Sequence, residues 1–207
     1  MRRGLFVVLE GGDASGKSTQ ARRLAWRLEA GGRTVVETFE PGATETGRHI
    51  RALLLEGPER IEPIAEALLL AADRAQQVAE VVRPALDRGD DVVSDRYVPS
   101  SLAYQGVGRG LGVEVVDQIN QVATGGLEPD VVVVLDVTDA VATERHLGPS
   151  DRLERAGAEF HVTVRQAYRD LAADRGWTLV DGSGDEAEVA ERVWQAVSEH
   201  LAPTLES

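Results

Sequence analysis

The chain contains no cysteine. That excludes disulfides, zinc–thiolate centres and thiol nucleophiles together, and it predicts a cytoplasmic protein. Aromatic residues make up 4% of the 207 positions, so a core has to be built from Val, Leu and Ala. Long apolar runs are missing too. The stretch Leu5–Leu9, after Met1-Arg2-Arg3, ends at Glu10 and is too short for a signal-peptide core or a membrane span. Positive charge is scarce: 22 basic residues stand against 35 acidic ones, a formal net charge of -13. A field of that sign repels nucleic acid polymers and anionic membranes, so neither is an expected partner. A small anionic ligand remains possible where positive charge is gathered locally. No two of the four histidines (49, 146, 161, 200) are four residues apart, so a helical His pair for a metal is absent. Lysine is nearly absent: of the 22 basic residues, Lys17 is the one lysine and the rest are arginine.

The 43% apolar content is enough for a sizeable core and sets disorder aside; the length suits one domain over residues 1–207. Short apolar runs at 5–10, 34–39, 91–94, 131–135 and 177–180 predict strands. Helical spacing predicts helices over about 16–30, 44–56, 62–86, 111–124, 141–146, 156–173 and 186–201. The strand cores are continuous rather than alternating, and helices separate them. This predicts an α/β fold: a three-layer sandwich with a central five-stranded parallel sheet flanked by helices. Ligands of such sheets bind beyond the carboxyl ends of the strands, so the segments after Glu10, Phe39, Ser94 and Leu135 carry the most weight.

The first of these is the most informative. Gly11-Gly12-Asp13-Ala14-Ser15-Gly16-Lys17-Ser18 fits G-x-x-x-x-G-K-[ST] between an apolar strand and an amphipathic helix. Glycines let backbone N–H groups face inward around phosphate oxygens, and the helix adds its positive end. Lys17 can reach the β- and γ-phosphates and Ser18 can ligate Mg²⁺. An ordinary glycine-rich turn with a surface lysine is the competing reading; motif, context and the placement of the one lysine all oppose it. The loop lacks the G-x-G-x-x-G of a dinucleotide site. An N-K-x-D guanine-reading motif is excluded because no lysine follows position 17.

Arg48 and Arg51 after the second strand, Arg74 on the long helix and Arg96 straight after the third strand are candidates for a second phosphate site, since a guanidinium binds phosphate as a fork. The segment 95–105 is the richest polar stretch in the chain; a solvated loop with capping serines is its alternative. Arg74 can equally be a surface ion pair with Asp73 or a nearby glutamate.

At this point the chain resembles the thymidylate kinase family, of the bacterial type, over nearly its whole length. Glu10 through Thr19 is similar to the family's acidic P-loop, Glu40-Pro41-Gly42-Ala43-Thr44 to its E-P-G-G-T segment, and Ala72-Asp73-Arg74-Ala75-Gln76 to its A-D-R-A-Q helix. Asp95-Arg96-Tyr97, Ser100 through Gly106, and Gly108-Arg109-Gly110-Leu111 resemble its signature; Asp151-Arg152-Leu153-Glu154 resembles its lid. The resemblance implies a P-loop NTPase fold, phosphorylation of dTMP with ATP and Mg²⁺, and a homodimer. It implies that Gly11, Gly12, Asp13, Ala14, Ser15, Gly16, Lys17, Ser18 and Thr19 hold ATP, with Ser18 and Asp95 at the metal, Asp95 directly or through water. Asp13 would face the 3′-hydroxyl of the acceptor and Arg96 its phosphate. Arg74 and Ser101 would meet the base, Tyr104 would crowd the 2′ position, and Gln105 would support that loop. Glu40, Arg51, Leu70 and Ser100 complete the expected acceptor site.

Three departures stand out. Leu70 replaces a phenylalanine common in the family, so ring stacking on the base is lost. Phe39 stands where an arginine often precedes the E-P segment. Ala14 replaces the P-loop arginine of eukaryotic-type members, leaving that charge to lid arginines. Residues of about 145–155 read as the lid, with Arg152 and then Arg145 as the arginine brought to the transferring group; surface ion pairing with Glu144, Asp151 and Glu154 is the alternative. Two other functions stay open: phosphorylation of a different nucleoside monophosphate or a deoxynucleoside, and nucleotide binding without transfer.

Overall fold

The computed structural model describes residues 3–58, 60–145, 155 and 157–201. Five parallel strands form one sheet: β1 (Phe6–Gly11), β2 (Val35–Phe39), β3 (Asp91–Asp95), β4 (Val131–Asp136) and β5 (Thr178–Asp181), in the order β2-β3-β1-β4-β5. Val7 sits opposite Val93 on one side and Val131 on the other, so β1 is central. Every residue of β1 is buried, as expected for a strand covered on both faces.

Alternation along the strands divides the core. Phe6, Val8, Val92, Val132 and Val134 face one layer, while Val7, Leu9, Val93, Val133 and Leu135 face the other. The second layer is made by α1 (Lys17–Ala30) and α9 (Glu186–Ser198), through Leu24, Leu28, Val189 and Val193. On the first layer lie α4 (Arg83–Arg88), α6 (Val113–Thr124) and α8 (Ala158–Arg175), with α3 (Pro63–Gln77) packed beside α6. Two further helices, α2 (Glu45–Glu56) and α7 (Asp139–Arg145), follow β2 and β4.

Several local outcomes differ from the sequence expectation; the helix expected over 186–201, for one, ends at Ser198. The helix expected over 62–86 widens into a π-helical stretch, Val78–Val82, before α4. Pro84 has no N–H for the carbonyl four residues back, and the wider turns take up that missing bond. The segment 98–108 is a short helix, α5 (Val98–Ser101), followed by a π-helical stretch, Leu102–Gly108. The solvated-loop alternative fails there, because Ser100, Ser101, Leu102, Ala103, Tyr104 and Gln105 are all buried. The helix predicted over 156–173 runs instead from 158 to 175 and ends at Gly176 in the left-handed conformation.

The sheet brings its carboxyl ends together: Gly11, Phe39 and Asp95 end three adjacent strands. The chain leaves β1 through a turn that only glycine fits, since Gly11 has φ 136° and a side chain there would clash with the Leu135 carbonyl.

Candidate active site

The loop 11–16 joins β1 to α1. Ala14 and Gly16 both adopt left-handed backbone conformations, with φ 59° and 94°. No side chain caps the start of α1 and no acidic residue occupies its first turn, so its N–H groups and positive end are left for an anion. Lys17 curls back into the loop, its amine donating to the Gly12 carbonyl at 2.7 Å and to Ser15 Oγ at 3.3 Å. Those oxygens stand where phosphate oxygens would compete for the amine. Burial, seconded by the nearby Arg96, lowers Lys17 to about 8. The Ser18 hydroxyl donates to Asp95 Oδ2 across the strand ends at 2.5 Å. The other oxygen, Oδ1, is buried and has no hydrogen-bond partner among the described residues. A hydroxyl beside a half-used, partly buried carboxylate fits a hard cation that also takes phosphate oxygens. Ser18 and Asp95 could hold Mg²⁺ in that way.

Arg96 follows β3 with φ 77°, a strained conformation for a non-glycine residue. Its Nη2 donates to Asp13 Oδ1 at 2.5 Å, and its Nη1 to Ser100 Oγ at 3.0 Å. The strain is held from beneath by Glu10, which is fully buried. Glu10 accepts from the Tyr97 and Ser100 N–H groups, from Ser100 Oγ and from the Tyr168 hydroxyl. Burial raises Glu10 despite the Arg96 charge beside it. Burial also pushes Asp13 upward, but the Arg96 and Lys17 charges outweigh it and hold the carboxyl below its ordinary value. Tyr104 packs under the Arg96 guanidinium, 5.1 Å from its ring centre.

Arg74 is not a surface residue paired with Asp73. It is 1% exposed and its nearest carboxylate is Glu40, with Nη2 2.5 Å from Oε2. All five of its N–H groups are engaged: two with Glu40, one each with Ser101 Oγ, Asn120 Oδ1 and the Tyr97 carbonyl. Burial carries Glu40 up to about 7 against the pull of Arg74. Any donation from Arg74 to a ligand therefore has to share or replace one of the bonds to Ser101, Asn120 or the Tyr97 carbonyl. Gln105 is buried, donating from Nε2 to Glu66 at 2.9 Å, and its Oε1 has no partner among the described residues.

These groups open into one cleft of about 770 Å³. Asp13, Ala14, Lys17, Ser18, Glu40, Arg51, Leu70, Arg74, Asp95, Arg96, Ser100, Ser101, Tyr104 and Gln105 all line it. Gly11, Gly12, Ser15, Gly16 and Thr19, in the loop and first helical turn, do not line it. Arg48 is exposed and does not join them. Arg145 lies to one side: it donates to the Gly182 and Gly184 carbonyls at 2.9 and 3.1 Å. Its Nη1 comes within 4.0 Å of where a β-carbon on Gly16 would be. Arg152 lies outside the described residues, as does most of the predicted lid.

Sequence reasoning missed several contributors. Tyr168 and His161 come from α8; His161 Nδ1 lies 3.7 Å from Asp13 Oδ2. Asn120 comes from α6, and Arg22 adds a further cation to the cleft wall. No local signal marks them, because each meets its partner only through the packing of distant helices; Arg22 alone, on the same helix as Lys17 and Ser18, was within reach of helical spacing.

Comparison with known proteins agrees with this geometry. The family model described as thymidylate kinase matches residues 9–193. A thymidylate kinase of Deinococcus radiodurans is 46% identical over 203 residues, covering 96% of this chain and 98% of the relative. One of Bifidobacterium longum (strain DJO10A) is 48% identical over 204 residues, covering 96% and 97%. One of Synechococcus sp. (strain JA-3-3Ab) is 45% identical over 200 residues, covering 95% and 97%. With matches of that length running through the loop, the arginine turn and both walls of the cleft, the chain belongs to the thymidylate kinase family.

Proposed function

We propose that this chain transfers the terminal phosphoryl group of ATP to dTMP, giving ADP and dTDP for dTTP synthesis, as a single domain in the cytoplasm. One observation carries the reading: the phosphate-binding loop and the Asp13–Arg96 pair open into the same cleft. A donor and an acceptor phosphate can therefore meet there.

The acceptor supplies its own nucleophile, a phosphate oxygen. It attacks the γ-phosphorus while the bond to the β,γ-bridging oxygen breaks, so no general base is required. What the residues contribute is alignment and positive charge. Lys17 exchanges its bonds to Gly12 and Ser15 for β- and γ-phosphate oxygens. Arg96, already oriented by Glu10 and Ser100, turns from Asp13 to the acceptor phosphate. Asp13 is thereby released toward the 3′-hydroxyl. Arg51 and Arg22 add cations to the wall. Ser18 and Asp95 would hold Mg²⁺, which when bound neutralises charge on the donor phosphates. Arg152 or Arg145 would reach the transferring group when the segment of about 145–155 closes. Tyr104 and Ser101 shape the sugar and base end, with Leu70 and Phe39 supplying apolar cover.

Leu70 and Phe39 also motivate the alternative acceptor. A coupled assay across dTMP, dUMP, dCMP and dGMP tests both. The highest kcat/KM is expected for dTMP, and a clear preference for another monophosphate would replace the acceptor assignment. ATP binding without transfer to any of them would leave a nucleotide-binding module.

The chain is also proposed to act as a homodimer. Leu53 on α2, Ile64 and Leu68 on α3, and Val115 and Val122 on α6 are exposed apolar side chains. They lie on helices that pack side by side, α3 between α2 and α6, which suits a self-complementary apolar face.

A further inference from the structure

Asp73 is a buried carboxylate that the transfer chemistry does not use. It is 1% exposed, and its Oδ1 accepts the Gly42 N–H at 3.0 Å. Its Oδ2 is buried with no hydrogen-bond partner among the described residues. Burial raises Asp73, while the Gly42 bond and the charges of Arg74 and Arg51 work in the opposite direction. Half-satisfied buried carboxylates are costly to stability, so a role outside stability is worth seeking.

The surroundings supply one. Asp73 and Arg74 are neighbours on α3, and between them they clamp one short loop: Arg74 holds the Glu40 side chain and Asp73 holds the Gly42 backbone. Arg51, on α2, reaches back over the same loop. Its Nη1 donates to the Pro41 carbonyl at 2.8 Å, and its stem lies on Gly42, where a β-carbon would be 2.8 Å from Arg51 Cδ. The start of α2 is pressed onto the carboxylate as well, for a side chain at Gly47 would clash with Asp73 Oδ1. Loop height, helix entry and the seat of the Arg51 side chain thus all refer to one buried carboxylate.

We infer that Asp73 is a positioning residue for the acceptor phosphate, acting through the Pro41–Gly42 loop to aim Arg51 into the cleft. The inference rests on the acceptor role given to Arg51 above. It separates recognition of the phosphate from recognition of the nucleoside, because the hydrogen bond of Asp73 runs to the Gly42 loop that holds Arg51 and not to Tyr104 or Ser101.

The test compares dTMP with thymidine, which has the same base and sugar and no phosphate. Asp73→Asn keeps the shape but exchanges the charged acceptor of the Gly42 N–H for a weaker neutral amide oxygen. It is expected to weaken dTMP binding about tenfold, the scale of one charge-assisted contact, while the inhibition constant of thymidine changes less than about twofold. In an Arg51→Ala background the same substitution is expected to add nothing. Equal weakening of dTMP and thymidine would assign Asp73 a purely structural role and overturn the inference. So would an undiminished Asp73→Asn effect in the Arg51→Ala background. If Arg51→Ala leaves dTMP affinity unchanged, the carrier is wrong and the inference falls with it, yet continued phosphorylation of dTMP by that variant would leave the activity standing. Asp73→Ser reads the same ratio should the asparagine variant not fold.

Discussion

Lys17 combines full burial with a charge the chemistry needs, and its titration follows from that. In the nucleotide-free protein it is lowered to about 8 by burial first and by Arg96 second. A polyanion arriving in the loop favours the charged amine, so binding ATP above that value takes up a proton. The expected outcome is an ATP affinity that falls as pH rises from 8 to 9.5, with proton uptake visible by calorimetry in buffers of different ionisation enthalpy. In Lys17→Met that pH dependence should vanish along with most of the affinity; a flat profile in the native protein would contradict the placement of the amine. Lys17→Ala is expected to abolish transfer, by at least 10²–10³ in kcat on the scale of lost preorganised donors, with the melting transition retained. Near-normal turnover in that variant would remove the loop from the mechanism. These two expectations come from a residue legible in the sequence. Arg74 was legible in name alone: its motif flagged it, but the Glu40, Ser101 and Asn120 contacts that occupy its donors come from three separate segments.

At the scale of elements, α1 and α9 begin in opposite ways, and the difference marks their uses. Asp185 caps α9, its Oδ1 accepting from the Ala187 and Glu188 N–H groups at 2.9 and 2.8 Å. The start of α1 has no such cap. Asp185→Ala is therefore expected to lower stability by about 1 kcal/mol, read by urea unfolding, because two N–H groups lose their acceptor. A cost near zero would mean that water replaces the cap fully. The converse change at α1 cannot be made without filling the anion site. Continuous apolar runs and the turn residues that bound them made all five strands legible within a residue or two. The π-helical stretch 102–108 was not, since its wide turns depend on burial of Tyr104 and Gln105 against α8 and α3 rather than on a local pattern.

Over the whole molecule, a net charge of -13 surrounds a cleft that gathers Lys17, Arg22, Arg51, Arg74 and Arg96. Among the described residues, five of the ten exposed large apolar side chains lie on α2, α3 and α6, with Val122 85% exposed. If two copies meet there, Leu68→Glu is expected to convert a dimer into a monomer in sedimentation at micromolar concentration, since a charge on each copy would face its symmetry mate. A native protein sedimenting as a monomer would refute the dimer outright.

The sequence by itself determined the parallel α/β architecture and the phosphate-binding loop, because continuous apolar runs and loop chemistry are local properties; most other cleft residues were named from the family resemblance. Tertiary structure alone decided which charges are spent on one another. Glu10 against Ser100, Glu40 against Arg74 and Asp73 under Gly42 are pairings across 31 to 90 positions. They exist because the sheet gathers the strand ends that carry Glu10 and Glu40 and α3 brings Asp73 and Arg74 to them, and no spacing along the chain encodes that approach.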